Sequence, residues 1–270
     1  MALPSLVSLT LLNPAQMAVP AHHLRHVELF GRDVPAYNRA VLAGVDRVQA
    51  TALDGGGYFI GIHARPAESP VGFALALNGK ALISPPRSTS YCSGSSYAAF
   101  IEGLDMILGP RLGDLSSDRL EALRMQEPNG GRREDRVKAW GWWNADGWGN
   151  HYALVQYLGA GERIPIFEAQ PGDFVNISWK SGLGHSTVFL GWGVDSHGER
   201  GIRYWSSQTG TNGFGDQFSL LSKVKEFLAV RLTHPERVLA FDPSKAVEVE
   251  IPGESPPYSD DSGGSSRDHR

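Results

Sequence analysis

Apolar residues recur at Tyr97, Ile101, Leu104 and Leu108, a spacing that keeps them on one side of an α-helix, and Gly109-Pro110 ends the run. The stretch "HYALVQYLG" reads as a second, short helix. Elsewhere the period changes. "GYFIGIHA" and "VGFALALNGKALIS" are apolar and β-branched, and Asn78-Gly79 inside the second is a hairpin signal. "GDFVNISW", "STVFLGWGV" and "GIRYWSS" are expected strands separated by glycine-rich turns, and "LLSKVKEFLAVRLTH" fits helix or strand. The order of hairpin, helix, insertion, short helix and antiparallel meander is an α+β pattern.

The same patterning divides the chain. Residues 1–27 lack a packed-core pattern and read as an export or disordered leader. Val19 and Ala21 stand at the −3 and −1 positions of a signal-peptidase-like site before His22, although no basic n-region precedes the apolar stretch. One domain is expected over 28–241, with a polar insertion at about 110–150. The Pro-, Gly-, Ser- and Asp-rich tail over 242–270 is expected to be disordered.

Composition narrows the function classes. The formal net charge of −4 over 270 residues gives no electrostatic case for a nucleic-acid partner. No stretch reaches the roughly 20 apolar residues of an integral membrane span. The 41% hydrophobic and 20% charged fractions are those of a soluble globular protein. There is no Gly-x-Ser-x-Gly element, and no phosphate loop ending in Gly-Lys-Ser/Thr.

One cysteine occurs in the whole chain, Cys92 in "SYCSGSSYAAF". A lone thiol is commonly a small core residue. Here it falls about 150° from the middle of the helical stripe, off the face expected to be buried. It also stands in the first helical turn, where unpaired N–H groups and the helix dipole favour a thiolate. The small neighbours Ser93, Gly94 and Ser95 leave room for a carbonyl.

Such a nucleophile needs a base and a group to orient it. Among the 9 histidines, His185 in "SGLGHSTVFLGW" lies between a Gly-rich turn and an apolar strand, at the strand mouth. His63 reads as a structural strand residue, and His151 is a minor candidate. His22, His23 and His26 in "HHLRH" suggest metal, but no carboxylate or cysteine ligand is suitably placed beside them. One strand after His185, Gln208 ends "RYWSSQ" and can accept the imidazole N–H; Ser206, Ser207 and Asn212 are its rivals. Trp140, Trp142, Trp143 and Trp148 fall within nine residues, a groove lining, a lid or a local hydrophobic plug.

Together "YCSGSSYAAF", "QPGDFVNISWKSGLGHSTVFLGW" and "RYWSSQ" resemble the NlpC-type papain-like cysteine peptidases of bacterial cell walls. The resemblance covers roughly residues 55–108 and 160–210. It implies an α+β papain-like fold with the catalytic cysteine at a helix N-terminus packed on an antiparallel β-sheet. It also implies Cys92 as nucleophile, His185 as base and Gln208 as the orienting residue. The oxyanion would be met by the Cys92 backbone N–H, with Tyr58 as an upstream hydroxyl. Tyr91 stands where the family usually has Asp, so Tyr91, Ser93, Trp142 and Trp143 are candidate substrate contacts.

The resulting expectation is a cysteine peptidase or amidase, active without metal or organic cofactor, cleaving peptidoglycan stem peptides. Its location would be periplasmic or secreted, otherwise cytoplasmic. An acyltransferase or small-molecule or protein amidase would use the same residues. A non-catalytic wall-binding module would instead rely on the tryptophans.

Overall fold

A computed structural model describes residues 9–59, 71–83, 89–125, 139–145, 147–247 and 251–257, except the side chains of Trp142 and Trp143. Expectations resting on residues 1–8, on His63, on the middle of the insertion and on the last residues of the tail lie outside that set. Its helices are α1 (Pro14–Met17), α2 (His26–Phe30), α3 (Ala36–Ala50), α4 (Cys92–Leu108) and α5 (Ser117–Leu123). Strands β1 (Leu75–Leu77) and β2 (Lys80–Ile83) form a hairpin. Strands β3 (Gly161–Ile164), β4 (Phe174–Trp179), β5 (Gly184–Val194), β6 (Arg200–Gln208), β7 (Gly213–Leu220) and β8 (Val224–Leu232) form one antiparallel sheet of order β3-β8-β4-β5-β6-β7. The fold is therefore mixed α+β. No helix among the described residues is long and apolar enough to cross a membrane.

Local chemistry explains the elements that place the site. Asn78 and Gly79 both take positive φ, 47° and 72°, the left-handed pair a tight hairpin requires. The Asn78 N–H donates to Asp105 Oδ1 at 2.7 Å, fastening the hairpin to α4. Helix α4 ends at Gly109, whose φ is 48°. The region 220–234, which fitted helix or strand, resolves into a 3-10 turn and β8. "HYALVQYLG" becomes a π-helical turn, His151–Tyr157.

The sheet is buried on both faces, and its two-residue period sorts the side chains. Phe174, Val188, Trp205 and Val230 join the core shared with α3 and α4. Their strand neighbours Val175, Phe189, Tyr204 and Ala229 build a second core on the opposite face. The expected stripe of α4 holds, with Tyr97, Ile101, Leu104 and Leu108 all buried. The expectation that Cys92 lies off the buried face does not hold: it is only 5% exposed. Ser93, Gly94, Ser95, Ser96, Ala98 and Ala99 are small, so α3 and the sheet approach the start of the helix closely, and every residue from Cys92 to Ile101 is buried.

That closeness is sharpest where α3 crosses α4. A Cβ at Gly44 would lie 2.6 Å from the Ala99 carbonyl oxygen, whereas one at Gly103 would lie no nearer than 3.5 Å to its neighbours. Gly44→Ala is expected to cost about 1–3 kcal/mol through forced separation of the helices. Gly103→Ala should be neutral or stabilising by up to about 1 kcal/mol through helix propensity. Urea denaturation of the two variants measures the contrast; equal stabilities would show that the crossing is not tight.

Residues 9–27 and 251–257 differ from expectation. Residues 9–27 are docked rather than disordered: Leu11 bridges Trp192 of β5, and the Leu12 N–H donates to the Trp192 carbonyl. Asn13 caps α1 reciprocally with Gln16. Residues 251–257 of the expected disordered tail lie along β8, where Glu254 and Phe227 exchange both backbone hydrogen bonds. Trp140 is a core residue, stacked on Phe100 and packed against Tyr97 and Phe174.

Candidate active site

The site grows from an opening in the sheet. Pairing of β5 with β6 begins at Val188–Trp205 and runs away from the β5 start. Continued three residues toward that start, the same register sets His185 opposite Gln208. There the first turns of α4 stand in for the strand-to-strand bonds. Ser95 Oγ accepts from the Ser207 N–H at 3.0 Å, and Ser206 Oγ donates to the Ser186 carbonyl at 2.7 Å. Ser95 Oγ in turn donates to the Cys92 carbonyl at 2.7 Å. Ser96 Oγ lies 2.5 Å from Ser186 Oγ, and Ser90 Oγ donates to Ser207 Oγ. The run of serines that flanks the cysteine is thus the seam holding its helix to the two strands that carry His185 and Gln208.

Gln208 is oriented by its own donors. Its Nε2 donates to Thr211 Oγ1 at 2.6 Å and to the Gly215 carbonyl at 3.0 Å. A carbonyl only accepts, so the amide nitrogen must face Gly215 and Oε1 must face the other way. Oε1 lies 3.2 Å from His185 Nε2. Since Oε1 only accepts, Nε2 carries the proton and Nδ1 keeps the lone pair. Of the rivals to Gln208, Ser206 and Ser207 are engaged in the seam, and Asn212 caps the following turn in a left-handed conformation.

His185 packs edge-on to Tyr204, ring centroids 5.5 Å apart, with Trp179 on another side at 6.3 Å. Burial pushes its pKa down to about 4, against the weaker opposite pull of Gln208. His185 is therefore neutral at pH 7, a base rather than the imidazolium of a resting ion pair. Tyr58 and Tyr204 are both pushed up to about 12, by burial first and then by the negative charge the Cys92 thiol can carry. Cys92 therefore acts electrostatically on Tyr204, the ring against His185, and on Tyr58, which bridges Ser90 two residues before the cysteine.

The remaining expected residues are unevenly placed. Tyr91 is the extended N-cap of α4 and is buried. Ser93 is fully buried; its carbonyl accepts from Trp140 Nε1 at 3.0 Å, so this tryptophan braces the first turn of the helix. Trp142 and Trp143 open a 3-10 turn, and their side chains fall outside the described residues. His151 heads the π-helical turn, burial pushing it down to about 4; its neighbour Asn150 accepts from Ser186 Oγ. A cleft of about 450 Å³ is lined among others by Gly57, Thr89, Ser90 and Asn212, and neither Cys92, His185 nor Gln208 lines it.

Sequence reasoning missed the N-terminal histidine cluster. The structure supplies what "HHLRH" seemed to lack: Asp216 of β7, whose carboxylate joins ring nitrogens of His23 and His26 with all donor atoms within 4.8 Å. His26 is fully buried, with Nδ1 2.7 Å from Asp46 Oδ1 and Nε2 2.9 Å from Asp216 Oδ1. Both partners are acceptors, so both nitrogens are protonated and His26 is an imidazolium. Burial opposes that charge, but the hydrogen bonds to Asp216 and Asp46 prevail and its pKa is raised. Arg203 also donates to Asp216, through Nε and Nη2.

The donor set does not suit a metal. Two carboxylates already face two cations, so the cluster is charge-balanced. His23 Nδ1 accepts from the Arg25 N–H, which assigns the ring proton to Nε2, the atom a metal would need bare.

No family model, no curated protein and no solved structure matches this chain.

Proposed function

We propose that this chain is a cysteine hydrolase of papain-like design that cleaves amide bonds. Cys92 Sγ attacks the carbonyl carbon, and its proton passes to His185 Nδ1. The tetrahedral oxyanion is met by the Cys92 backbone N–H, with the Tyr58 hydroxyl as second donor. The His185 imidazolium then gives its proton to the leaving amine as the C–N bond breaks, leaving a thioester on Cys92. Water, deprotonated by the same imidazole, hydrolyses the thioester and returns the thiol.

The observation that carries this reading is the orientation of Gln208. An amide pinned by Thr211 and Gly215 fixes the His185 tautomer so that Nδ1 is the basic nitrogen. The imidazole it prepares lies on the strand to which the cysteine's own helix is stitched. Orienting a buried, neutral histidine in this way has a use in proton transfer that simple packing would not require. The favoured substrate is a peptidoglycan stem peptide, which rests on the resemblance of "YCSGSSYAAF" and "GHSTVFLGW" to the cell-wall peptidases, and places the enzyme in the periplasm or outside the cell.

Two measurements test the proposal. Cys92 should be alkylated by iodoacetamide at pH 7 faster in the wild type than in His185→Ala, because the neutral imidazole takes the thiol proton as the sulfur attacks. Equal rates in the two proteins would remove the catalytic pair. Digestion of purified peptidoglycan should yield new muropeptides with the wild type and none with Cys92→Ala; identical muropeptide spectra would remove the wall substrate.

A further inference from the structure

We infer that the N-terminal segment Ala21–His26 is a positioning element of the site, acting through His22 on the loop that aims Gln208. The inference rests on the proposed role of Gln208 and deepens it. Of the two acceptors that pin the Gln208 amide, Thr211 Oγ1 belongs to the short connection between β6 and β7 and the Gly215 carbonyl to the start of β7. That connection is held from outside by residues some 190 positions earlier in the chain.

His22 Nε2 lies 2.9 Å from the Thr211 carbonyl, an acceptor, so His22 presents Nε2–H there. The Asp216 N–H donates to the Ala21 carbonyl at 2.8 Å. Between them Gly215 has no room for a side chain: a Cβ would come within 3.0 Å of the Ala21 oxygen and 3.1 Å of His22 Cδ2. The segment is anchored in turn. His26 joins Asp46 of α3 to Asp216 of β7, and His23 reaches Asp216 Oδ2 at 3.1 Å. Arg203 completes the anchor, spending Nη1 and Nη2 on the carbonyls of Met17 and Val19.

The consequence is directional. A shift of Thr211 or Gly215 rotates the Gln208 amide, and the amide sets which nitrogen of His185 is basic. His22 touches neither thiol nor imidazole, so it is a positioning residue.

The test reads the His185 tautomer directly. Full-length protein labelled with ¹⁵N is examined by long-range imidazole NMR at pH 7, and the Cys92 alkylation rate is measured with iodoacetamide. Wild type should show His185 as the Nε2–H tautomer. His22→Phe keeps the ring against Gly215 and removes the donor. It should lower the ratio of Nε2–H to Nδ1–H by roughly two- to tenfold, the weight of one net hydrogen bond, with alkylation falling in parallel. His22→Gln, which restores an N–H, should recover both. Added Zn²⁺ should change neither reading. An unchanged tautomer ratio in His22→Phe, failure of His22→Gln to recover it, or a shift of the His22 and His23 resonances with Zn²⁺ would each overturn the inference. The outcomes are separable from the proposed function: a wild-type thiol that alkylates no faster than that of His185→Ala defeats the hydrolase reading, whereas the tautomer ratio judges the positioning.

Discussion

Replacing His26 by alanine is expected to destabilise the protein by about 3–5 kcal/mol, the cost of breaking a buried ion pair from one side. The imidazolium lies between Asp46 and Asp216 with no exposed surface. Removing it leaves Asp46 without its cation, and leaves Asp216 with Arg203 and His23. Three elements then lose a common tie: the N-terminal segment, α3 and β7. Urea denaturation at pH 6 measures the effect, and a loss below about 1 kcal/mol would mean that Arg203 satisfies Asp216 and that solvent satisfies the partly exposed Asp46. The same group fixes an alkaline limit. His26 has its pKa raised in the fold, so its stabilisation is complete below the ordinary histidine value of about 6.5 and is lost as pH rises through the folded value. In His26→Ala this alkaline limb should vanish from the pH–stability curve.

The second large effect follows from the proposed reaction. His185→Ala should lower amide turnover by about 10²–10⁴-fold, the usual weight of a positioned general base, with the folded state retained. Its pH dependence is the mirror image of that of His26. Burial lowers the His185 pKa to about 4, so its contribution to stability is fully present above about 6.5. That contribution is lost as pH falls to about 4, a span worth roughly 3 kcal/mol. Wild type should therefore be most stable in a window closed on the acid side by a histidine that must stay neutral, and on the alkaline side by one that must stay charged. In His185→Ala the acid limb should flatten. A wild-type stability that does not change between pH 6.5 and 4 would contradict the burial of a neutral imidazole.

Where turn chemistry and period act locally, the sequence was a good guide. Asn78-Gly79 can hardly be anything but a tight turn between apolar runs, and the spacing from Tyr97 to Leu108 has one helical reading. The closeness of His185 to Gln208 was legible for a related reason: both are polar residues at the ends of apolar strands that lie side by side. What escaped depends on partners distant in the chain. "HHLRH" looks like a metal tract or a leader until Asp216 and Asp46 stand beside it. Cys92 was misjudged because a helical wheel counts only large apolar residues. Ser95 was read only as a small neighbour leaving room for a carbonyl, yet Ser90, Ser95 and Ser96 are each buried by hydrogen bonds that no periodicity records. Glu254 escaped similarly, since a Pro- and Ser-rich stretch gives no sign that one of its residues will pair with the edge of β8.

The bond from His26 to Asp216 also spans 190 positions, and that separation bears on how the molecule assembles. Residues 22–26 can reach their final place only after β7 exists, because their partners lie on it or in the loop before it. Contacts of such length carry a large closure entropy and form late. Helix α4 and the β1–β2 hairpin can gather much earlier from nearby residues. A folding chain would thus acquire its thiol-bearing helix well before the strap that fixes the Gln208 amide, and Cys92 would meet a correctly tautomerised histidine only in the last step. Refolding followed by Cys92 alkylation should show that reactivity lags behind the burial of Trp140.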